Sequence, residues 1–235
     1  MARSTFAARA LGVVALLAAT ACSTYLDARA EAALREALVR VVGPAESYDV
    51  RVSGASVDAS RFDRVRFVGR RIARPDSPVL DRLELDLQGV VLDLPAKSLT
   101  AVAAARVELR LKGADLAAFL GRWLGEPAVT LTAPDRIAIV GTPRIGGVAL
   151  GGAGSAELQG RLVGGGSQLL LAIDRIRLGG GEAPPLARVV VERAINPIFD
   201  VADAPLPARL DAVEFGADDT IRIEASGIRL PGGAP

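Results

Sequence analysis

The chain contains a single cysteine, Cys22, which closes the run Leu16-Leu17-Ala18-Ala19-Thr20-Ala21-Cys22. A thiol behind small residues and a short apolar stretch sits where an export leader is cut and where acyl chains are attached to the new first residue. Arg3 and Arg9 give the positive start, and Ala10 to Ala19 give the apolar core. That core is too short to span a bilayer, which needs about 20 apolar residues. The position three before the cysteine is Ala19 and not leucine. Ala19-Thr20-Ala21 therefore also suits ordinary signal cleavage, which would release a soluble protein with a free amino-terminal thiol. Acylation of Cys22 is the expectation adopted, with residues 1–22 as leader and residues 23–235 as one domain.

Other chemistry is sparse. The chain has no histidine, and with Cys22 acylated it has no free thiol. The commonest general base, metal ligand and nucleophile are therefore missing. Ser/His/Asp and Cys/His catalysis are excluded, as are zinc sites built on histidine or cysteine. Lysine occurs only at Lys97 and Lys112, and the carboxylates form no recognisable catalytic pair. Asp218-Asp219 lacks the further oxygen ligands of a calcium loop. None of the glycine clusters carries a phosphate-loop or dinucleotide spacing. The expectation is a binding protein, not an enzyme, with no cofactor and no metal. A net charge of +1 leaves no concentrated basic surface for nucleic acid. The one dense basic stretch includes Arg64, Arg66, Arg70 and Arg71, whose planar donors suit a phosphate headgroup or a membrane surface.

Half of the residues are apolar and only 4% are aromatic, so the core must be Val, Leu, Ile and Ala. Tyr25 to Val42 has the spacing of an amphipathic helix, stopped by Gly43-Pro44. Alternation of period two follows: Val65 and Phe67, then Leu83, Leu85 and Leu87, then Val107, Leu109 and Leu111, each set between charged residues. The apolar parity changes at Gly89 and again near Asp174 or Arg175, which predicts β-bulges. Leu116, Phe119, Leu120, Trp123 and Leu124 predict a second helix, with Asp115 as cap and Gly125 and Pro127 as stop. Gly146-Gly147, Gly151-Gly152, Gly164 to Gly166 and Gly179 to Gly181 separate hairpin strands. Leu186 to Asp200 reads as a helix interrupted by Pro197, and a hairpin turning at Asp218-Asp219 ends the chain. The fold class is α+β: a long, curved antiparallel meander around about three helices, with an apolar groove.

Two segments carry a family resemblance. Val107-Glu108-Leu109-Arg110-Leu111-Lys112-Gly113-Ala114-Asp115-Leu116 is a strand running straight into a helix. Near the end, Ala204-Pro205-Leu206-Pro207 precedes Leu210 to Phe215 and then Ile221 to Leu230. This pattern, over roughly Leu26 to Leu230, resembles the LmeA-like phospholipid-binding domains of bacterial cell envelopes, and departs from them in the glycine-rich stretch Gly146 to Gly166. The resemblance implies a curved sheet wrapped about a long helix, similar to the tubular lipid-binding superfamily, with an acyl-chain groove and no catalytic residues. The expected groove lining is Val65, Phe67, Leu83, Leu85, Val107, Leu109, Phe119, Trp123 and Phe199. The expected partners are a phospholipid or related lipid and, through the Cys22 anchor, the membrane of the cell envelope. An alternative is an assembly lipoprotein that docks a protein partner on its apolar sheet face.

Cys22→Ala should leave the precursor uncut and abolish metabolic labelling with fatty acid. Unchanged labelling would exclude acylation at this residue.

Overall fold

A computed structural model describes residues 28–40, 42–56, 60–145, 148–149, 154–201, 208–216 and 218–227. The leader and Cys22, the turns at Gly146-Gly147 and Gly151-Gly152, the Pro205-Leu206-Pro207 entry and the final pair Ile228 and Leu230 lie outside these residues.

Helix α1 covers residues 28–40. Its Ala30, Leu34, Ala37 and Leu38 are buried, as the helical spacing predicts. The strands that follow are β1 (Ser47–Ala55), β2 (Arg61–Ile72), β3 (Leu80–Asp93), β4 (Ser98–Ala101) and β5 (Ala104–Lys112). After helix α2 (Gly113–Leu120) come β6 (Leu124–Thr132), β7 (Arg136–Ile145), β8 (Val148–Ala149), β9 (Ala156–Gly165), β10 (Gln168–Leu178) and β11 (Gly181–Glu182). Helix α3 (Pro185–Ile195) precedes β12 (Phe199–Asp200), β13 (Ala208–Phe215) and β14 (Thr220–Gly227).

The meander divides into two antiparallel sheets. One has the order β1-β2-β3-β5-β14-β13, with β4 also on β3; the other runs β11-β10-β9-β7-β6, with β12 on β10 and β8 on β7. They meet where β13 approaches the second sheet: the Leu210 N–H donates to the Gly166 carbonyl at 2.8 Å, and that of Phe215 to the Pro134 carbonyl at 3.3 Å. One apolar cluster runs through both sheets and all three helices, and no polar or charged residue is buried among the described residues.

On the first sheet the inward residues change parity along a line that crosses several strands. Phe62 is buried and so are Val65 and Phe67; on β3, Val90 and Leu92 are buried and so are Leu83, Leu85 and Leu87. The pairing of β2 with β3 keeps its register across this point, from Phe62↔Val90 to Arg64↔Gln88. The irregularity at Gly89 is therefore not an extra residue in one strand of this pair. Asp63 opposite it leaves the pleat as well, and so does Gly54 on β1, which lies between the pairs Ser53↔Arg64 and Ala55↔Phe62. Gly54 and Gly89 have φ of 66° and 57°, a conformation that only glycine adopts at little cost. A side chain at Gly54 would strike the carboxylate of Asp63, and one at Gly89 would meet Ala103 Cβ at 2.8 Å. The result is a crease that bends neighbouring strands together. A second lies at the far end of β2 and β3, where Arg71, at φ 53°, stands opposite Asp81 between the pairs Arg70↔Arg82 and Ile72↔Leu80. The bulge expected near Asp174 is present as a register shift between Ile173 and Arg175.

Two helices are shorter than their periodicity predicts. Helix α2 stops at Leu120, so Trp123 falls in a turn and Leu124 opens β6. Its N-cap is Lys112, and no side chain caps it. Helix α3 stops at Ile195, because the residue before Pro197 is driven out of the helical region. Asn196 instead spans the β10 backbone, accepting from Leu171 N–H at 2.8 Å and donating to its carbonyl at 2.9 Å. Phe199 and Asp200 then pair with β10 as a strand.

Gly89→Ala should lower stability by about 1–3 kcal/mol, the cost of holding a non-glycine residue in the left-handed region. The midpoint of urea unfolding measures it.

Candidate lipid-binding seam

The inward face of the first sheet is laid out in rows by its register. Val50, Phe67, Leu85, Val107, Ala225 and Leu210 lie opposite one another on β1, β2, β3, β5, β14 and β13. The neighbouring row is Tyr48, Gly69, Leu83, Leu109, Ile223 and Val213, and the next is Val52, Val65, Leu87, Ala105, Gly227 and Ala208. Six of the nine expected lining residues thus share one continuous surface: Val65, Phe67, Leu83, Leu85, Val107 and Leu109. Phe119 and Trp123 come from α2 and the turn after it, in edge-to-face contact at 5.3 Å, and the Arg122 guanidinium lies 5.1 Å from the Phe119 ring centre. Phe199 belongs to the second sheet, opposite Leu169. All nine belong to, or pack against, the single apolar cluster.

Burial across this surface is uneven. Val65, Phe67 and Leu87 are 0% exposed, whereas Leu83, Ala105 and Val107 each keep 6% and Leu85 keeps 5%. Towards the edge strands exposure rises: Ala208 and Leu210 keep 7%, and Tyr48, Val52 and Val213 are half-buried. The small residues between the central strands pack closely, since a side chain at Gly227 would meet Ala105 Cβ at 2.6 Å. The seam between sheet and helices is therefore apolar along all three rows and most open towards β1 and β13.

The opposite face is charged, and it too is ordered in rows. Arg70, Arg82, Arg110 and Arg222 stand side by side on β2, β3, β5 and β14, and the next row holds Glu84, Glu108 and Glu224. Like charges directly opposite are unfavourable, but diagonal pairs between the rows offset them. Arg82 and Arg66 reach Glu84 at 2.7 and 3.0 Å, and Arg110 and Arg222 reach Glu108 at 2.9 and 3.0 Å. Arg64 binds Asp86 through two donors, one at 2.7 Å. Arg70 has no ion pair among the described residues, and it borders a shallow depression of about 300 Å³ lined also by Arg51, Arg66, Arg82 and Asp49. Arg64, Arg66 and Arg70 are therefore separated from the seam by the sheet itself.

Arg71 is placed differently. Its guanidinium makes a two-pronged contact with Asp115 in the first turn of α2, at 2.6 and 3.0 Å. Lys112 reaches Asp81 at 2.8 Å beside it. Asp115, expected as a helix cap, instead ties α2 to the crease of the sheet. The Asp219 carbonyl accepts the first helical N–H, that of Gly113, at 3.0 Å. This contact between the final hairpin and α2 is one that no local sequence signal announces.

The Arg66 guanidinium holds the Glu84 carboxyl below its ordinary range, and Arg64 does the same to Asp86. A carboxyl depressed in the fold stabilises it above the unfolded-state value and loses that contribution as pH falls through the folded one. The thermal midpoint should therefore fall once pH drops below about 4, and Glu84→Gln should flatten that decline. Because the arginine partners are exposed, the change per pair is at most about 1 kcal/mol.

No curated protein and no solved structure matches the chain. The model of one family does, that of LmeA-like phospholipid-binding proteins, over residues 17–231, nearly its whole length. By that match the chain is a member of the LmeA-like phospholipid-binding family.

Proposed function

We propose that this protein is a cell-envelope lipoprotein that binds and transfers a phospholipid-like molecule, without catalysis, through the apolar seam of its first sheet. The observation that carries the reading is an inward face of three apolar rows with no buried polar side chain, more exposed towards its edge strands β1 and β13. A hydrocarbon tail leaving a bilayer must recover about 0.8 kcal/mol per methylene, and a single buried unpaired polar group would cancel several of these. A lining of Val, Leu, Ile, Phe and Ala meets that requirement. Val65, Phe67, Leu83, Leu85, Val107 and Leu109 would contact the tail along the sheet, with Phe119, Trp123 and Phe199 closing the far sides.

Membrane and seam are then nearly equal environments for the tail. Net affinity is small and exchange is easy, which suits a carrier more than a store. Anchoring at Cys22 would hold the protein on the outer side of the cytoplasmic membrane or in the outer membrane, provided that two or more acyl chains are attached, since one gives only marginal binding. Arg64, Arg66 and Arg70 lie on the outer face and are suited to membrane contact, Arg70 above all because no acid neutralises it. A protein docked on the apolar sheet face would need that face exposed, whereas most of its central residues are buried, and no observation favours that alternative.

Mass spectrometry of solvent extracts from the purified protein should find bound phospholipid, and the delipidated protein should take up a fluorescent phospholipid. Absence of both overturns the seam. A stoichiometric protein co-purifying in place of lipid would give the function to assembly.

A further inference from the structure

Helix α3 turns only Ala187, Val191 and Ile195 of its apolar residues inward. Its one acid, Glu192, turns towards the sheet, where Oε1 accepts the Ile173 N–H of β10 at 2.8 Å beside the bulge. Only Ile195 of the helix is buried. Leu186, Val189 and Val190, spaced by three and four residues, are 77%, 56% and 66% exposed. A helix packed on a sheet ordinarily buries such a stripe. Here Val191 and Ile195 together with polar contacts at Glu192 and Asn196 fix the helix, and this second apolar stripe is left in solvent.

The charge around the stripe is one-sided. Arg188 and Arg193 are exposed and have no ion pair among the described residues, and Arg193 continues the outward face one turn beyond Val189 and Val190. Asp174 and Glu182, in the depression beside Arg188, are paired with Arg161 at 3.5 Å and Arg175 at 3.4 Å. An apolar wedge continued by the free Arg193 guanidinium, with no acid of the helix on that face, is complementary to a surface that is oily within and negative outside; Arg188 lies on the other side, in the depression with Asp174 and Glu182. Three exposed side chains are too few for a stable protein interface, which buries roughly 800 Å² on each partner. They suffice for shallow insertion at the acyl boundary of a bilayer, where arginine stems lie in the apolar layer and their heads reach phosphate.

We infer that α3 is a docking element for an anionic phospholipid bilayer: Leu186, Val189 and Val190 enter the acyl boundary, and Arg193 meets lipid phosphate. This surface is separate from the seam and stands whether or not the seam holds lipid.

The test uses the full chain carrying Cys22→Ala and Val189→Cys, labelled with an environment-sensitive fluorophore at residue 189. It is mixed with vesicles of phosphatidylcholine, with and without phosphatidylglycerol. Emission should shift to the blue, at lower lipid concentration when phosphatidylglycerol is present. The same label at Thr130→Cys, an exposed site on β6, should stay aqueous, which separates α3 insertion from attachment through the leader. Arg193→Glu should weaken binding to anionic vesicles more than about fivefold, and Leu186→Glu with Val190→Glu should remove the shift. All three side chains are exposed, so a loss of folding is not expected, and circular dichroism verifies it. Unchanged emission at residue 189, or equal shifts at 189 and 130, overturns the proposal. So does a photocrosslinker at 189 that captures one protein and no lipid. Extraction of bound lipid from the same sample reports on the seam independently.

Discussion

The structure depends on strict alternation across six paired strands. Because successive side chains point to opposite faces, the register that collects Phe67, Leu85, Val107 and Ala225 in one row inside also collects Arg70, Arg82, Arg110 and Arg222 in another outside. A slip of one residue in a single strand would turn that strand's charges inward. An unpaired guanidinium inside an apolar layer costs several kcal/mol, far more than any exposed ion pair on the outer face returns. The charged rows thus contribute little to stability as pairs. Their larger effect is to make every wrong register expensive, which keeps the inward face purely apolar.

Creases modify this constraint without breaking it. At Gly89 the pleat of β3 reverses, and register survives because Asp63 and Gly54 reverse with it. The sheet can then bend while each strand still presents apolar residues inward on both sides of the line. Arg71 and Asp81 repeat the device at the other end, and there the charged side chains freed from the pleat gain partners on α2 and at Lys112. Curvature is set by the same residues that tie the helix down, so the width of the seam and the position of α2 are coupled.

Period-two alternation made the strands of the first sheet and the inward direction of Val65, Phe67, Leu83, Leu85, Val107 and Leu109 legible in sequence, since the pattern needs only near neighbours. The parity change at Gly89 was legible as well, but its physical form was not. Asp63 shows no signal of its own, and a shared crease differs from a bulge only in the pairing of two strands. Trp123 and Leu124 continue the helical spacing of Phe119 and Leu120, yet β6 claims Leu124, because strand pairing with β7 outweighs another half turn of helix. Asp115 has the right type and position for a cap and is drawn away by Arg71, 44 residues distant. Phe199 was recognisable as core, but nothing in an apolar pattern tells which of two sheets will own it. For α3, the sequence announced a helix and not which side it turns to the sheet; Glu192 and Asn196, binding the β10 backbone, help to decide that.

The two faces of the first sheet bear differently on lipid selectivity. A tail in the seam would touch only hydrocarbon, and hydrocarbon contacts distinguish chains by length and volume but not by headgroup. The arginine row cannot supply the missing discrimination, because the thickness of the sheet separates Arg66 and Arg70 from the seam. In the proposed carrier, headgroup preference would fall to the cluster beside α2, where Arg71, Asp81, Lys112 and Asp115 bring two cations and two carboxylates together. These cations are already neutralised, so an anionic headgroup would have to compete with Asp115 for Arg71, a contact made by two hydrogen bonds. In the proposed carrier, weak headgroup selectivity combined with a nearly isoenergetic tail site would make the cargo follow the composition of the membrane it touches.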